Sequence, residues 1–217
     1  LLAQNKSDSL TLNFHLEFDK TPLELHKKYT STNKDTLAIE TFRCYVSNIQ
    51  IQYSDNSVFI EKDSYHLLDS DKPKSFQIPI TEKNDKPISR VVFSIGIDSL
   101  TNTSGAMSGA LDPVNGMYWA WQSGYINMKI EGKSPSCKTR KNEFQFHIGG
   151  YREPYYARRT IEIPIRKDRA QQDEVHLTID LGQFFSEIHL KETNSIMIPG
   201  KEAMQISDLV TKVFSLP

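Results

Sequence analysis

Apolar and polar side chains alternate one by one along most of this chain, and this alternation constrains its fold more than any other feature. A period of two puts every second side chain on one face of an extended segment, so each such run predicts a strand with one buried face. The pattern predicts strands over 10–18, 42–53, 90–97, 125–131, 143–149 and 174–180. In the second run the apolar positions change phase near Ser47–Asn48, which indicates a β-bulge there.

Helical periodicity is scarce by comparison. Residues 181–188 carry apolar side chains at spacings near three and four, and those of 201–214 fall roughly on one helix face. Strands and helices do not alternate regularly, which argues against a doubly wound α/β fold. The sequence therefore predicts an all-β fold, an antiparallel two-sheet β-sandwich with a short C-terminal helix. We expect one domain over 10–217, preceded over 1–9 by a tether or the remnant of a signal peptide.

Charge and motif content exclude several classes of function. The net charge is −1, without the basic excess that nucleic-acid binding normally requires. No apolar run approaches the length of a transmembrane helix. Cys44 and Cys137 fit no zinc motif, and their spacing leaves open whether they pair. A G-x-S-x-G elbow, a P-loop, a G-x-G-x-x-G loop and an H-E-x-x-H helix are all missing from the sequence, so we expect no enzymatic activity.

One aromatic segment is a candidate functional site. Both tryptophans of the chain, Trp119 and Trp121, lie two residues apart, with Tyr118 and Tyr125 close by. In an extended segment the two indoles would share one face, either as core residues or as an aromatic platform or a site of tryptophan oxidation. We expect both indoles to be substantially buried, with the long 98–116 loop beside them.

Two histidines are candidate metal ligands. His147 follows Phe146 in Phe-His-Ile-Gly-Gly, and His66 opens His-Leu-Leu-Asp, which ends at Asp69. Neutral imidazole is a good ligand for copper or zinc, and a nearby carboxylate often orients such a ring. The alternative is that each histidine forms a separate structural hydrogen bond in its own strand.

Several segments, in order along the chain, resemble the MbnP-like family. The most specific is Gly-Met-Tyr-Trp-Ala-Trp-Gln-Ser-Gly-Tyr at 116–125, within a similar run over 109–132. The others are Arg-Cys-Tyr-Val-Ser-Asn-Ile at 43–49, Tyr-His-Leu-Leu-Asp at 65–69, Phe-Ser-Ile-Gly-Ile-Asp at 93–98 and Phe-His-Ile-Gly-Gly at 146–150.

The resemblance implies an extracytoplasmic β-sandwich of a Gram-negative bacterium, periplasmic or at the cell surface, often anchored as a lipoprotein. Characterised relatives are copper-binding proteins of methanotrophs. They bind the ion through two histidines and a kynurenine, and the kynurenine is made by oxidising a tryptophan. The resemblance also implies a di-haem cytochrome c peroxidase-like partner and a role in copper acquisition or handling.

Carried over to this sequence, the resemblance makes His147 the best match to a ligand histidine and His66 the second, with His15 in reserve. If the modified tryptophan lies two residues before a ligand histidine, Ser64 stands there before His66. Trp119 and Trp121 are then the tryptophans available for oxidation. We expect the other histidines to be solvated or turn residues; they are His26, His176 and His189.

Three functions follow from these residues. The first is a copper-binding protein with His66 and His147 sharing the ion. The second is a module that binds carbohydrate or another surface ligand on its aromatic rings. The third is a metal-free protein that docks a partner.

Overall fold

The all-β class is confirmed by the computed structural model, which describes residues 9–80, 86–122, 124–170 and 173–217. All of the expected tether except Ser9 lies outside the described residues. The strands are β1 (Leu10–Phe18), β2 (Thr21–Pro22), β3 (Lys28–Thr30), β4 (Thr36–Tyr53), β5 (Val58–Ile60), β6 (Tyr65–Asp69), β7 (Gln77–Ile80), β8 (Ile88–Ile95), β9 (Tyr118–Trp119), β10 (Gly124–Lys133), β11 (Glu143–Gly149), β12 (Tyr151–Arg152), β13 (Tyr155–Tyr156), β14 (Arg159–Pro164), β15 (Glu174–Asp180), β16 (Ser195–Ile196) and β17 (Phe214–Ser215). The helices are α1 (Ser99–Thr103), α2 (Leu181–Ser186) and α3 (Lys201–Val210). None of these helices is long and apolar enough to cross a membrane.

Two main sheets form the fold. The smaller has the order β17-β15-β1-β2, with β7 also paired to β1, and the larger has the order β14-β8-β4-β10-β11-β16. The prediction of purely antiparallel sheets needs a correction, because β1 pairs with β15, and β11 with β16, in parallel. Antiparallel neighbours can be joined by a tight hairpin, whereas β1 and β15 are separated by most of the chain, so no hairpin dictates their direction.

Strand β4, 18 residues long, organises the large sheet. Cys44 pairs with β6 on one edge and with β10 on the other, while Ser47 pairs with β6 and with β8. The predicted bulge is present: the register with β8 shifts between Ser47 and Gln50, and Asn48 has a φ of 50°. Asparagine tolerates this left-handed conformation better than most residues.

The two faces of β4 bury different cores. Cys44 and Val46 point into the main core between the sheets, whereas Tyr45 belongs to a second apolar cluster on the opposite face. That second cluster comprises Tyr45, Ile97, Leu111, Met117, Trp119, Tyr125 and Ile126. We call this side of the large sheet the outer face.

The segment over 98–116, expected as an irregular loop, covers part of the outer face. It contains α1 and two single 3₁₀ turns, and the hydroxyl of Tyr45 donates to the Ala110 carbonyl at 2.8 Å. Tyr125 accepts from the Met107 amide at 3.1 Å and donates to the Leu111 carbonyl at 3.0 Å. Two buried phenols therefore fix the segment to the sheet.

Candidate functional site

A row of four charged or titratable residues crosses the outer face. His147 on β11 pairs with Lys129 on β10, Lys129 with Arg43 on β4, and Arg43 with Asp69 on β6. Residues directly opposite each other in a sheet place their side chains on the same face. Sequence reasoning missed this row, because it depends on the order of strands that are distant along the chain.

The row is anchored at both ends by carboxylates. Arg43 donates from Nε to Asp69 Oδ1 at 3.0 Å, and its Nη1 donates to the Asn115 carbonyl at 3.2 Å. His147, 6% exposed, has its Nε2 2.6 Å from Glu131 Oε1. If Nε2 donates this bond, the lone pair of the ring remains on Nδ1.

The electrostatics of the row favour a charged Glu131. Its pKa lies below the ordinary value chiefly because of the hydrogen bond from His147, with further lowering by the nearby charges of His147, Lys129 and Arg43. Burial acts in the opposite direction but is the weaker effect. Burial also lowers the pKa of Lys129. The hydrogen bond between His147 and Glu131 is therefore polarised, and its surroundings are partly shielded from solvent.

Trp119 packs on β11 two residues along the strand from His147. It is 5% exposed, and a Cβ added at Gly149 would lie 2.7 Å from its Cζ3 atom, so the indole packs directly on that glycine. Gly149 is two residues from His147 on the same side of β11. Burial of Trp119 is as predicted.

The prediction that Trp121 is buried was wrong, since it is 65% exposed. The alternation assumed for an extended segment ends with β9 at Trp119. The chain then turns, and the Gln122 amide donates to the Trp119 carbonyl at 3.2 Å. The two indoles still touch, with centroids 5.8 Å apart and planes tilted by 44°.

The two tyrosines of the aromatic segment have a structural role. Tyr125 is 1% exposed and holds the 98–116 segment, and Tyr118 packs edge-on against it with centroids 4.9 Å apart. Trp121 is therefore the one of the four aromatic candidates that presents an open ring surface.

His66 lies on the other side of the sheet from His147. It pairs with Val46, a main-core residue, and its Nε2 is 2.9 Å from Glu61 Oε2. Ser64 donates to the same Glu61 oxygen at 2.6 Å. Burial tends to raise the pKa of Glu61, but the hydrogen bonds from His66 and Ser64 together lower it by more. The net result is a pKa below the ordinary value.

The structure does not bring His66 and His147 together. Three strand-to-strand steps separate β6 from β11, roughly 14 Å at the usual sheet spacing, and the two rings point to opposite faces. Asp69, expected as a possible orienting acceptor, binds Arg43 instead. Among the described residues, no three or more His, Cys, Asp or Glu side chains are grouped to hold a metal ion.

His15, the reserve candidate, lies on the small sheet. Its Nε2 is 2.8 Å from Nδ1 of His176, and the rings stack with centroids 5.1 Å apart. His176 lies in β15, within the predicted strand 174–180, and its side chain is 40% exposed, which agrees with the solvated alternative for this histidine and not with the turn alternative. The parallel register of β1 and β15 creates this contact, and sequence reasoning missed it.

Comparisons with known proteins show the family to which this chain belongs. The family model MbnP matches residues 7–198. The chain belongs to the MbnP family. The solved structure of MbnP from Methylosinus trichosporium is similar, with a TM-score of 0.64 and 13% sequence identity over 88% of this chain and 82% of that chain. At that identity the MbnP structure supports the fold alone. No curated protein matches the chain.

Proposed function

We propose that this protein is an extracytoplasmic copper-handling member of the MbnP family that binds copper as cargo and is not an enzyme. The observation that carries the proposal is a buried histidine, His147, two residues along β11 from the glycine on which the Trp119 indole packs, in a chain of this family. Imidazole is a common copper ligand, and the resemblance associates both histidine and an oxidised tryptophan with copper.

The surroundings of His147 suit an ion that is bound and later released. Glu131 holds Nε2 of His147, so Nδ1 is the ligand atom, and a carboxylate partner of this kind raises the basicity of a metal-binding imidazole. A single imidazole with one neighbouring carboxylate is too small a set for a closed structural site. Such a small set fits a transient site. There, water or groups of a partner supply the other ligands, and the ion is then passed on.

A partner would meet the site at Trp121. This exposed indole contacts Trp119, so the two rings lead from the surface towards the neighbourhood of His147. Next to it, Gln122, Tyr155 and Pro199 line a small cleft of about 130 Å³. We propose that a di-haem cytochrome c peroxidase-like protein docks here, and that oxidation of a tryptophan, where it occurs, takes place in this indole pair.

The test compares two histidines that each bond to one glutamate. Copper affinity is measured by competition with a chromophoric chelator for His15→Asn alone and for His15→Asn combined with His147→Ala or His66→Ala, so that the His15–His176 pair does not contribute. We expect His147→Ala to weaken copper binding at least tenfold and His66→Ala to leave it unchanged. Equal affinities for all three proteins, with their folds intact by circular dichroism, would remove His147 from the proposal.

A ligand-binding surface is a second candidate function, favoured by the 65% exposure of Trp121. Exposed indoles stack on sugar rings and on other flat apolar groups. Quenching of tryptophan fluorescence by a panel of saccharides, lost in Trp121→Ala, would support it. Under the copper proposal the saccharides leave the fluorescence unchanged.

A further inference from the structure

The closest approach of two imidazoles in the described structure lies far from His147. His15 on β1 and His176 on β15 belong to the parallel pair at the centre of the small sheet, and their Nε2 and Nδ1 atoms are 2.8 Å apart. His15 is exposed, and the side chain of His176 is 40% exposed. Both side chains are therefore open to solvent.

The spacing of these two nitrogens is that of neighbouring ligands on one metal ion. With metal–nitrogen bonds of about 2.0–2.1 Å, two donors at a right angle lie about 2.9 Å apart, whereas tetrahedral donors lie about 3.3 Å apart. Right-angled nitrogen ligands are typical of tetragonal copper(II) and nickel(II), and tetrahedral ones of zinc. The 2.8 Å separation is set by the hydrogen bond between the rings, and only a small shift is needed to reach the spacing of right-angled ligands.

A neighbouring carboxylate favours the tautomer of His176 that such binding needs. Glu174 Oε2 is 3.4 Å from Nε2 of His176, which favours the proton on that nitrogen and leaves the Nδ1 lone pair towards His15. His15 then bridges the pair with the proton on its Nε2. Metal binding replaces this hydrogen bond: the proton of His15 moves through solvent from Nε2 to Nδ1, the imidazole stays neutral, and both facing lone pairs become available to one metal ion.

The backbone places the two histidines next to each other before a metal arrives. Each histidine lies within a regular strand, paired through an unbroken parallel register from Thr11 to Glu17. The backbone needs no ordering on binding, so the ordering cost is limited to turning the two rings.

We propose that His15 and His176 form a surface chelate for a divalent transition metal, with copper(II) bound most tightly. The remaining coordination positions are filled by water, in accord with the absence of three-ligand groups among the described residues. The proposal does not rest on the function assigned to His147, because the two sites lie on different sheets.

The test adds copper(II) ions, and separately zinc ions, to His147→Ala as the parent for this titration, and to the same protein carrying His15→Asn, His176→Asn or His26→Asn in addition. His26 is the matched control, a lone histidine whose side chain is 71% exposed. We expect each of the first two substitutions to weaken copper(II) binding by a similar factor of at least ten, since each breaks the same chelate. His26→Asn should have no effect, and zinc should bind the parent more weakly than copper.

Electron paramagnetic resonance identifies the ligands directly. Copper(II) on the parent should couple to two imidazole nitrogens, and His15→Asn should reduce this to one. Retention of two-nitrogen coupling in the folded His15→Asn and His176→Asn variants would overturn the proposal. His147→Ala by itself separates the two hypotheses: if it binds no copper, the surface chelate fails, and if it keeps two-nitrogen copper, the chelate stands without His147.

Discussion

Replacing each tryptophan by alanine should lower stability by very different amounts, although the two residues are two positions apart. Trp119 is 5% exposed and packs on Gly149, so Trp119→Ala removes nearly all of a buried indole and leaves a gap over the glycine. Truncations of this kind cost about 3–5 kcal/mol. Trp121 is 65% exposed, so roughly a third of its surface is covered, and scaling the cost by that share gives about 1 kcal/mol.

Urea unfolding followed by circular dichroism measures both free energies of unfolding. For a domain of this size, the Trp119→Ala loss corresponds to a fall in the melting temperature of roughly 6–20 °C, and the Trp121→Ala loss to about 2–4 °C. Equal losses for the two variants would refute the assignment of Trp119 to the core and Trp121 to the surface. A change in the denaturant slope would mean that the denatured state had also changed.

Three further outcomes follow from the contacts. Because the pKa of Glu131 is lowered, its carboxylate stabilises the fold at neutral pH, and this stability is lost as the pH falls below about 4.3. Glu131→Gln should therefore flatten the acid branch of a stability–pH profile, and an unchanged acid branch would contradict this. A Cβ at Gly132 would lie 2.1 Å from the Ala38 carbonyl oxygen, so Gly132→Ala should lower the free energy of unfolding by about 1–3 kcal/mol, and an unaltered unfolding curve would count against this close approach. Both cysteines are free and buried, and burial raises the pKa of Cys137 to about 11. A thiol reagent should therefore modify neither cysteine in the native protein and both after unfolding, as measured by intact mass. Rapid labelling of the native protein would be inconsistent with the packing.

The sequence predicted the strands well because period-two alternation reports burial directly. The bounds of β1, β11 and β15 agree with the predicted segments, and the phase change at Ser47–Asn48 marked the bulge. The direction of strand pairing was less accessible. Alternation shows which face of a strand is buried, but it carries no information about which distant strand lies alongside, so the parallel β1–β15 pair was missed.

The candidate site could be predicted only in part for the same reason. Proximity of His147 to Trp119 depends on β9, β10 and β11 lying side by side, and proximity of His15 to His176 on the parallel register. The separation of His66 from His147 follows from their opposite faces, which no local motif reveals. Trp121 is exposed because the chain turns after β9, and the assumption of an extended segment concealed that turn.

The central claim is that this protein handles copper through the outer face at His147. Its most direct test is the copper content of the protein and of His147→Ala, each purified from the cell envelope of the native host, together with the intact mass. The account predicts about one copper ion or more on the parent protein, with the share due to the outer face absent from His147→Ala. Parent protein that carries no copper from a copper-replete host, or His147→Ala with the same copper content as the parent, would contradict it.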